Sequence, residues 1–394
     1  MDALWSNALF CVLGAVATIL IERIFGLGER FLSRSARRMR NKSRNKSLSR
    51  SSNLLTLGDE ALYVVQFVPA GWEHANIEIS MRPAYDLRSE LQKAETLGLP
   101  LPLPAAELMR LVDSERSSYS TPGGRTDGQW NGAALATVQL AASNRTGDLE
   151  TPVLRMETAE SDHAASDVLT HEWERAYLAG AFDGLLDDGD LFQRPIPGML
   201  GAIGLNATVI TSDGYLVLAK RSRHASSGRN GYHISVNEGM LPSDAKWNGK
   251  VDPIAALLRG LEEELGVSHV ERSAVRLHTV MYDVRRYQLG LLAHIDLSTS
   301  DAHLEWTAAA IRTRFNTAQA KDRFENRALE FVKWRLEDVR EVIAQPDWLA
   351  HGRLNLALSA VSHFGERASS MLDDLLQAAK ERGRQRTADE KSAR

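Results

Sequence analysis

Three successive glutamates, Glu262, Glu263 and Glu264, close the stretch DPIAALLRGLEEELGV between Asp252 and Val267. Of all the side chains in this sequence, these are the best placed to do chemistry. Adjacent carboxylates on one helix edge make an oxygen-rich site suited to Mg²⁺ or Mn²⁺, hard cations that complete their shells with water or substrate phosphates. Negative charge beside the unpaired carbonyls of a helix C-terminus is unfavourable by roughly 0.3 to 1 kcal/mol per exposed group. Acids clustered there therefore call for a nearby cation. The alternative is a solvated helix face, because glutamate is a strong helix former and charge runs are usually at the surface.

A helix must carry these acids, and its ends are legible. Asp252 is a good N-cap, Pro253 suits the first helical position, and Gly266 stands where a left-handed C-terminal residue is expected. Ile254, Leu257, Leu258, Leu261 and Leu265 recur at spacings of three and four, which commits one face to a core. Glu263 and Glu264 share the face reached from position 260, whereas Glu262 points elsewhere. Ahead of the helix, NATVITSDGYLVLAKRS reads as a β-hairpin turning at Asp213 and Gly214. YHISVNEGML follows a polar loop. After the helix, VRLHTVMYDV and YQLGLLAHIDL pair as strands, LEFVKW is another strand, and helices follow near Leu336 to Ile343 and Leu354 to Phe364. This order implies an α+β fold, an α/β/α sandwich with helices on both faces of a mixed sheet.

Gly239 followed by RGLEEELGV resembles the Nudix box of the Nudix hydrolase superfamily, whose pattern ends in Arg-Glu-aliphatic-x-Glu-Glu-x-Gly-aliphatic. Arg259, Leu261, Glu263, Glu264, Gly266 and Val267 match, and the resemblance spans about residues 200 to 365. It implies hydrolysis of a diphosphate linkage in a nucleoside diphosphate derivative. Glu263 and Glu264 would hold Mg²⁺ or Mn²⁺, Gly239 would shape the loop beneath the phosphates, and Arg259 would orient the helix. The metal would polarise phosphoryl oxygens and activate a water. Arg221, Arg223 and Arg229 could contact phosphate, although surface arginines on a loop are as good a reading.

The sequence departs from the pattern twice. Gly260 stands where the pattern has the glutamate that binds metal or deprotonates water, and glycine inside a helix costs roughly 1 kcal/mol relative to alanine. A ligand or a neighbouring strand approaching closely would account for it. The loop before Arg259 also carries six extra residues within PSDAKWNGKV, so the upstream box glutamate falls at Val251 and Asp252 is the nearest acid to orient Arg259. A replacement base could come from Glu325, Glu330 or Glu238. The leading function is a membrane-anchored, cytosol-facing Nudix-type hydrolase; the alternative is a catalytically impaired sensor, tethered to the membrane, that binds a nucleotide without turning it over. His233 and His278 lie on strands without metal-ligand spacing and read as core or edge residues.

The rest of the chain concerns placement. Ala3 to Ile21 is a 19-residue run without charge, near the length that crosses a bilayer, and ten lysines and arginines follow it by Arg50. Residues 1–25 are expected to form a single-pass anchor with the N-terminus outside and the rest cytoplasmic; a signal peptide or buried helix are the alternatives. Residues 26–53 read as a basic juxtamembrane linker for anionic headgroups. Beyond residue 50 the chain holds 37 basic against 48 acidic residues, which argues against general nucleic-acid binding. Its partner is expected to be a nucleotide-type small molecule, and a homodimer is compatible with the reading. The single cysteine, Cys11, excludes an internal disulfide framework and a cysteine-based zinc site. Residues 54–197 alternate strands with helices near Ala105 to Ser114 and Asp162 to Phe182, without a catalytic motif, and read as an α+β accessory region or an elaboration of the next domain. Residues 198–366 would form the Nudix-like domain and 367–394 a helical or disordered polar tail.

Overall fold

Short runs of mostly apolar residues build two mixed β-sheets in this protein, and the central strands of the larger one are buried along nearly their whole length. The computed structural model describes residues 54–370 apart from loops at 58–59, 121–130, 144–151, 183–184, 187–189, 224–230, 247, 318–319, 321–325, 346 and 366. All of them belong to the compact unit Asn53–Arg394. The expected membrane segment, the basic linker and residues 371–394 lie outside the described residues. Among the described residues, no helix is long and apolar enough to cross a membrane.

The strands are β1 (Leu54–Leu57), β2 (Glu60–Phe67), β3 (Ile77–Met81), β4 (Ala133–Ser143), β5 (Val153–Asp162), β6 (Ile203–Ile210) and β7 (Tyr215–Arg221), then β8 (Tyr232–Ile234), β9 (Val236–Gly239), β10 (Lys250–Val251), β11 (Val275–Asp283), β12 (Gln288–Asp296) and β13 (Asn326–Lys333). The helices are α1 (Leu87–Thr96), α2 (Ala105–Ser120), α3 (His163–Leu178), α4 (Asp190–Gln193), α5 (Pro253–Leu265), α6 (Ala308–Asn316), α7 (Leu336–Ala344) and α8 (Ala350–Phe364). The larger sheet runs β1-β2-β11-β12-β6-β7-β13, with β8 on β7 and β9 on β6; the smaller runs β10-β3-β5-β4. Each contains one parallel pairing, β12 with β6 and β3 with β5. Strands from the amino-terminal half enter both sheets: β2 pairs with β11, and β3 accepts β10 from the loop before α5.

Two faces of the larger sheet have separate cores, as the period of two requires. Along β12, Leu291 faces the core shared with α5, whereas Leu292 faces Leu354 and Leu358 of α8. Helix α5 buries Ile254, Leu257, Leu261 and Leu265, the stripe its sequence announces. The expected α+β class, with helices on both faces of a mixed sheet, is what these cores describe.

The β6–β7 hairpin departs from the expectation of two fully paired strands. Only Val209 with Val217 and Ile210 with Leu216 pair beside the turn at Gly214, which has a φ of 78°. Below them the strands fork, and β8 and β9 fill the gap, one on each arm. Ser235 sits at the crotch, fully buried. Its hydroxyl donates to the Val217 carbonyl and accepts from the Val209 N–H at 2.9 Å. One side chain thus satisfies backbone groups on both arms. That fork sets the position of β9 beneath α5.

Candidate functional site

Helix α5 presents the acids, and its capping is as the sequence indicates. Asp252 accepts the Ala255 N–H at 3.2 Å, and Gly266 adopts φ 70° and ψ 19°. Asp252, however, does not orient Arg259. Its carboxylate binds Arg272 at 2.9 Å and Lys246 at 3.3 Å, which hold it below the ordinary carboxylate range against the opposing effect of burial. The carboxylate facing Arg259 is that of Asp244, in the lengthened loop before α5. It takes Nε at 3.3 Å and Nη2 at 3.1 Å, a two-point grip that suits a guanidinium. Counting back from Arg259 passes over Asp244, whereas counting forward from Gly239 brings the upstream glutamate of the pattern to Ala245, one position away.

Arg259 is the hub of this site. Nη2 also donates to the Gly239 carbonyl at 2.9 Å, so Gly239 is fixed to the helix through its backbone. Nη1 lies 3.1 Å from Glu238 Oε2 and 3.3 Å from Glu263 Oε2. Burial works against the charge of Arg259, but Asp244 and Glu238 outweigh it and raise its pKa. Burial pushes Glu238 up from the ordinary carboxylate value; Arg259 opposes this and Glu263 adds to it. Two carboxylates on one guanidinium nitrogen make Glu238 and Glu263 neighbours, one from β9 and one from α5.

Glu264 is held differently. It is 5% exposed, and its oxygens accept the Asn237 N–H at 2.7 Å and the Asn326 amide at 3.1 Å. It therefore ties α5 to β9 and to the start of β13. Glu262 is exposed. The C-terminus of α5 meets a cation, since Arg314 donates to the Gly266 carbonyl at 3.1 Å. Arg259 thus sets positive charge beside Glu263, and Arg314 sets it at the last carbonyl of the helix end. Among the described residues, no group of three or more His, Cys, Asp or Glu is arranged to hold a metal ion.

Gly260 is explained by packing. A Cβ there would lie 3.0 Å from Val236 Cγ1 and 3.0 Å from Glu238 Cβ, tighter than ordinary van der Waals contact. The missing side chain lets β9 lie close against α5, and Glu238 occupies the space that a side chain at 260 would claim.

The other candidates separate. Glu330 on β13 accepts from the Tyr232 hydroxyl at 3.1 Å and makes no contact with the acids of α5. Glu325 and Arg229 lie outside the described residues. Arg223 is exposed beyond β7. Arg221 is 1% exposed and lines a polar cleft that also takes in Asn237. His233 and His278 are buried, as expected of core residues. Burial, and then a neighbouring histidine, holds both pKa values well below the ordinary imidazole value.

No family model matches the chain, and no curated protein matches it. Among solved structures the chain is similar to DR0079 from Deinococcus radiodurans, at 17% identity and a TM-score of 0.24, over 36% of this chain and 73% of that one, a likeness too slight to define the fold.

Proposed function

We propose that this protein is a Nudix-like nucleotide-binding module in which the box helix has become structural, so that a diphosphate-containing nucleotide is held without being hydrolysed. The observation that carries the reading is Gly260: the place where the family has a catalytic glutamate is filled by β9 at 3.0 Å. The remaining acids support it. Glu264 already accepts two hydrogen bonds, and Glu263 is shared with Arg259. Both acids are thus already engaged by the protein, which supports a structural role for them. In this reading the uncharged run at residues 3–21 tethers the module to a membrane.

A second reading is favoured by one contact. The Glu238 and Glu263 carboxylates converge on the same Arg259 nitrogen, so Glu238 could stand in for the glutamate missing at 260 and support Mg²⁺-dependent hydrolysis. Incubating the full-length chain with Mg²⁺ and a panel of nucleoside diphosphates, dinucleotides and nucleotide sugars, followed by ³¹P NMR and calorimetry, separates the two. Binding with intact ligand is expected. Phosphate-bearing products that disappear in both Glu238→Gln and Glu263→Gln would establish the hydrolase instead.

A further inference from the structure

The acids of α5 line no part of the cleft beside α3. This cleft, of about 390 Å³, lies between α3 and the larger sheet. That volume is within the range of small-molecule sites. Helix α3 turns Ala164, Ala165, Leu169 and Trp173 inward. Its other stripe, His163, Asp167, Thr170 and His171, forms one wall of the cleft. These positions recur at three and four, so a single helix face supplies them. The floor comes from β6, β7, β9, β11 and β12, and His351 of α8 lies opposite.

Both signs of charge line this space. Arg221 is buried on the floor at 1% exposure, and Arg286 is half-buried at the rim. His351 shares a hydrogen bond with His233, their Nε2 atoms 2.8 Å apart. Burial, then Arg286 and Arg221, pulls the His351 pKa down to about 3, so this imidazole is neutral and the two guanidinium groups are the cations that dominate its surroundings. The acids are Asp283, which accepts the Arg286 backbone N–H at 3.2 Å and lies 3.9 Å from its guanidinium, Glu174, which is paired with Arg285, and Asp167 on the exposed face of α3.

One atom points to a ligand. Asn206 on β6 is 3% exposed and lines the cleft, and its Oδ1 is a buried acceptor with no hydrogen-bond partner among the described residues. Leaving such an acceptor unsatisfied costs roughly 1 to 3 kcal/mol, which a donor on a bound molecule would recover once the amide turns its oxygen into the cleft. A ligand matched to this lining carries anionic oxygens for the arginines and N–H or O–H donors for Asn206 and the acids. A nucleotide has both; inorganic phosphate and pyrophosphate, whose P–OH groups also donate, lack the base and sugar donors.

We infer that the cleft between α3 and the larger sheet is the nucleotide site, with the phosphates on the Arg221 and Arg286 side and base or sugar donors directed to Asn206 and the α3 wall. The inference rests on the nucleotide-binding reading above and gives the amino-terminal half a task, since α3 belongs to it. Asn237 joins the two regions: it lines the cleft, and its N–H holds Glu264.

The chain has one cysteine, so Cys11→Ser with Thr170→Cys places a single thiol in the cleft wall. Maleimide labelling of that full-length variant is followed with ADP, GDP, CDP and UDP, and with inorganic pyrophosphate. At least one nucleoside diphosphate is expected to slow labelling about tenfold, at lower concentration than pyrophosphate, and adding Arg286→Gln is expected to raise the required concentration about tenfold. Arg286 is chosen over Arg221 because its half-buried position tolerates substitution. Labelling that no nucleotide slows overturns the inference. If calorimetry then still detects a bound nucleotide, the functional reading stands and only its location fails. Protection accompanied by Mg²⁺-dependent hydrolysis has the reverse meaning: the cleft stands and the non-hydrolytic reading falls.

Discussion

At the scale of single residues, Gly260 joins the chemistry to the packing. In a helix interior glycine gives up roughly 1 kcal/mol relative to alanine. It is retained here because Val236 and Glu238 lie where its side chain would be. Gly260→Ala gains that propensity but presses on β9, and overpacking costs about 1 to 3 kcal/mol; a net loss of stability is expected. Gly260→Glu restores the box pattern, yet the larger side chain has no room beside Glu238. We expect it to lower the denaturation midpoint further, measured in urea, and to leave nucleotide turnover no higher than in the parent. A rise in turnover at unchanged stability would show that the strand can yield and that the box remains catalytic. The sequence marks Gly260 as anomalous and even allows a strand as the cause, but it cannot say which strand, because Val236 and Glu238 come 24 and 22 positions earlier in the chain.

At the scale of elements, the fork between β6 and β7 decides where that strand lies. The Asp213-Gly214 turn is plain in the sequence, and the simplest hairpin would pair the strands along their whole length. Only two residue pairs form, because Ser235 supplies hydrogen bonds to both arms and admits β8 and β9 between them. Ser235→Ala should leave the Val209 N–H and the Val217 carbonyl short of a partner at a position with no solvent access, at a cost of about 2 kcal/mol. Hydrogen exchange at Val209 is the sensitive measurement: exchange there should quicken more than in α7 or α8. Unchanged exchange would mean the two arms hold apart without Ser235. Helix α5, in contrast, was legible end to end, since its caps and apolar stripe are local features and its buried residues follow them.

At the scale of the whole molecule, the amino-terminal half and the region around α5 are interleaved. β2 covers the edge of β11, and β10 completes the smaller sheet. Trp173 of α3 stacks on Tyr287 with ring centroids 4.3 Å apart and donates to the Val284 carbonyl at 3.0 Å. Tyr287 in turn donates to the Leu191 carbonyl at 2.8 Å and accepts the Ile196 N–H at 3.0 Å. A fragment beginning at Gly198 would bare the edge of β11, and exposed edges template aggregation. Such a fragment is expected to be aggregated or partly unfolded by light scattering and circular dichroism, whereas residues 54–394 should unfold in one cooperative transition. A monomeric, fully folded fragment would refute the interdependence.

The sequence by itself determined what depends on near neighbours: the ends and buried face of α5, the strand runs, the α+β class, and the presence of acids in need of a cation. Arg259, four positions before Glu263, is likewise a local neighbour; tertiary structure alone decided what else that cation meets, because Asp244 and Glu238 converge on it only when the loop before α5 and a forked hairpin bring β9 under the helix. It also decided that α3 faces the sheet across a polar cleft. Periodicity reports which face of an element is buried but carries no information on what is packed against it.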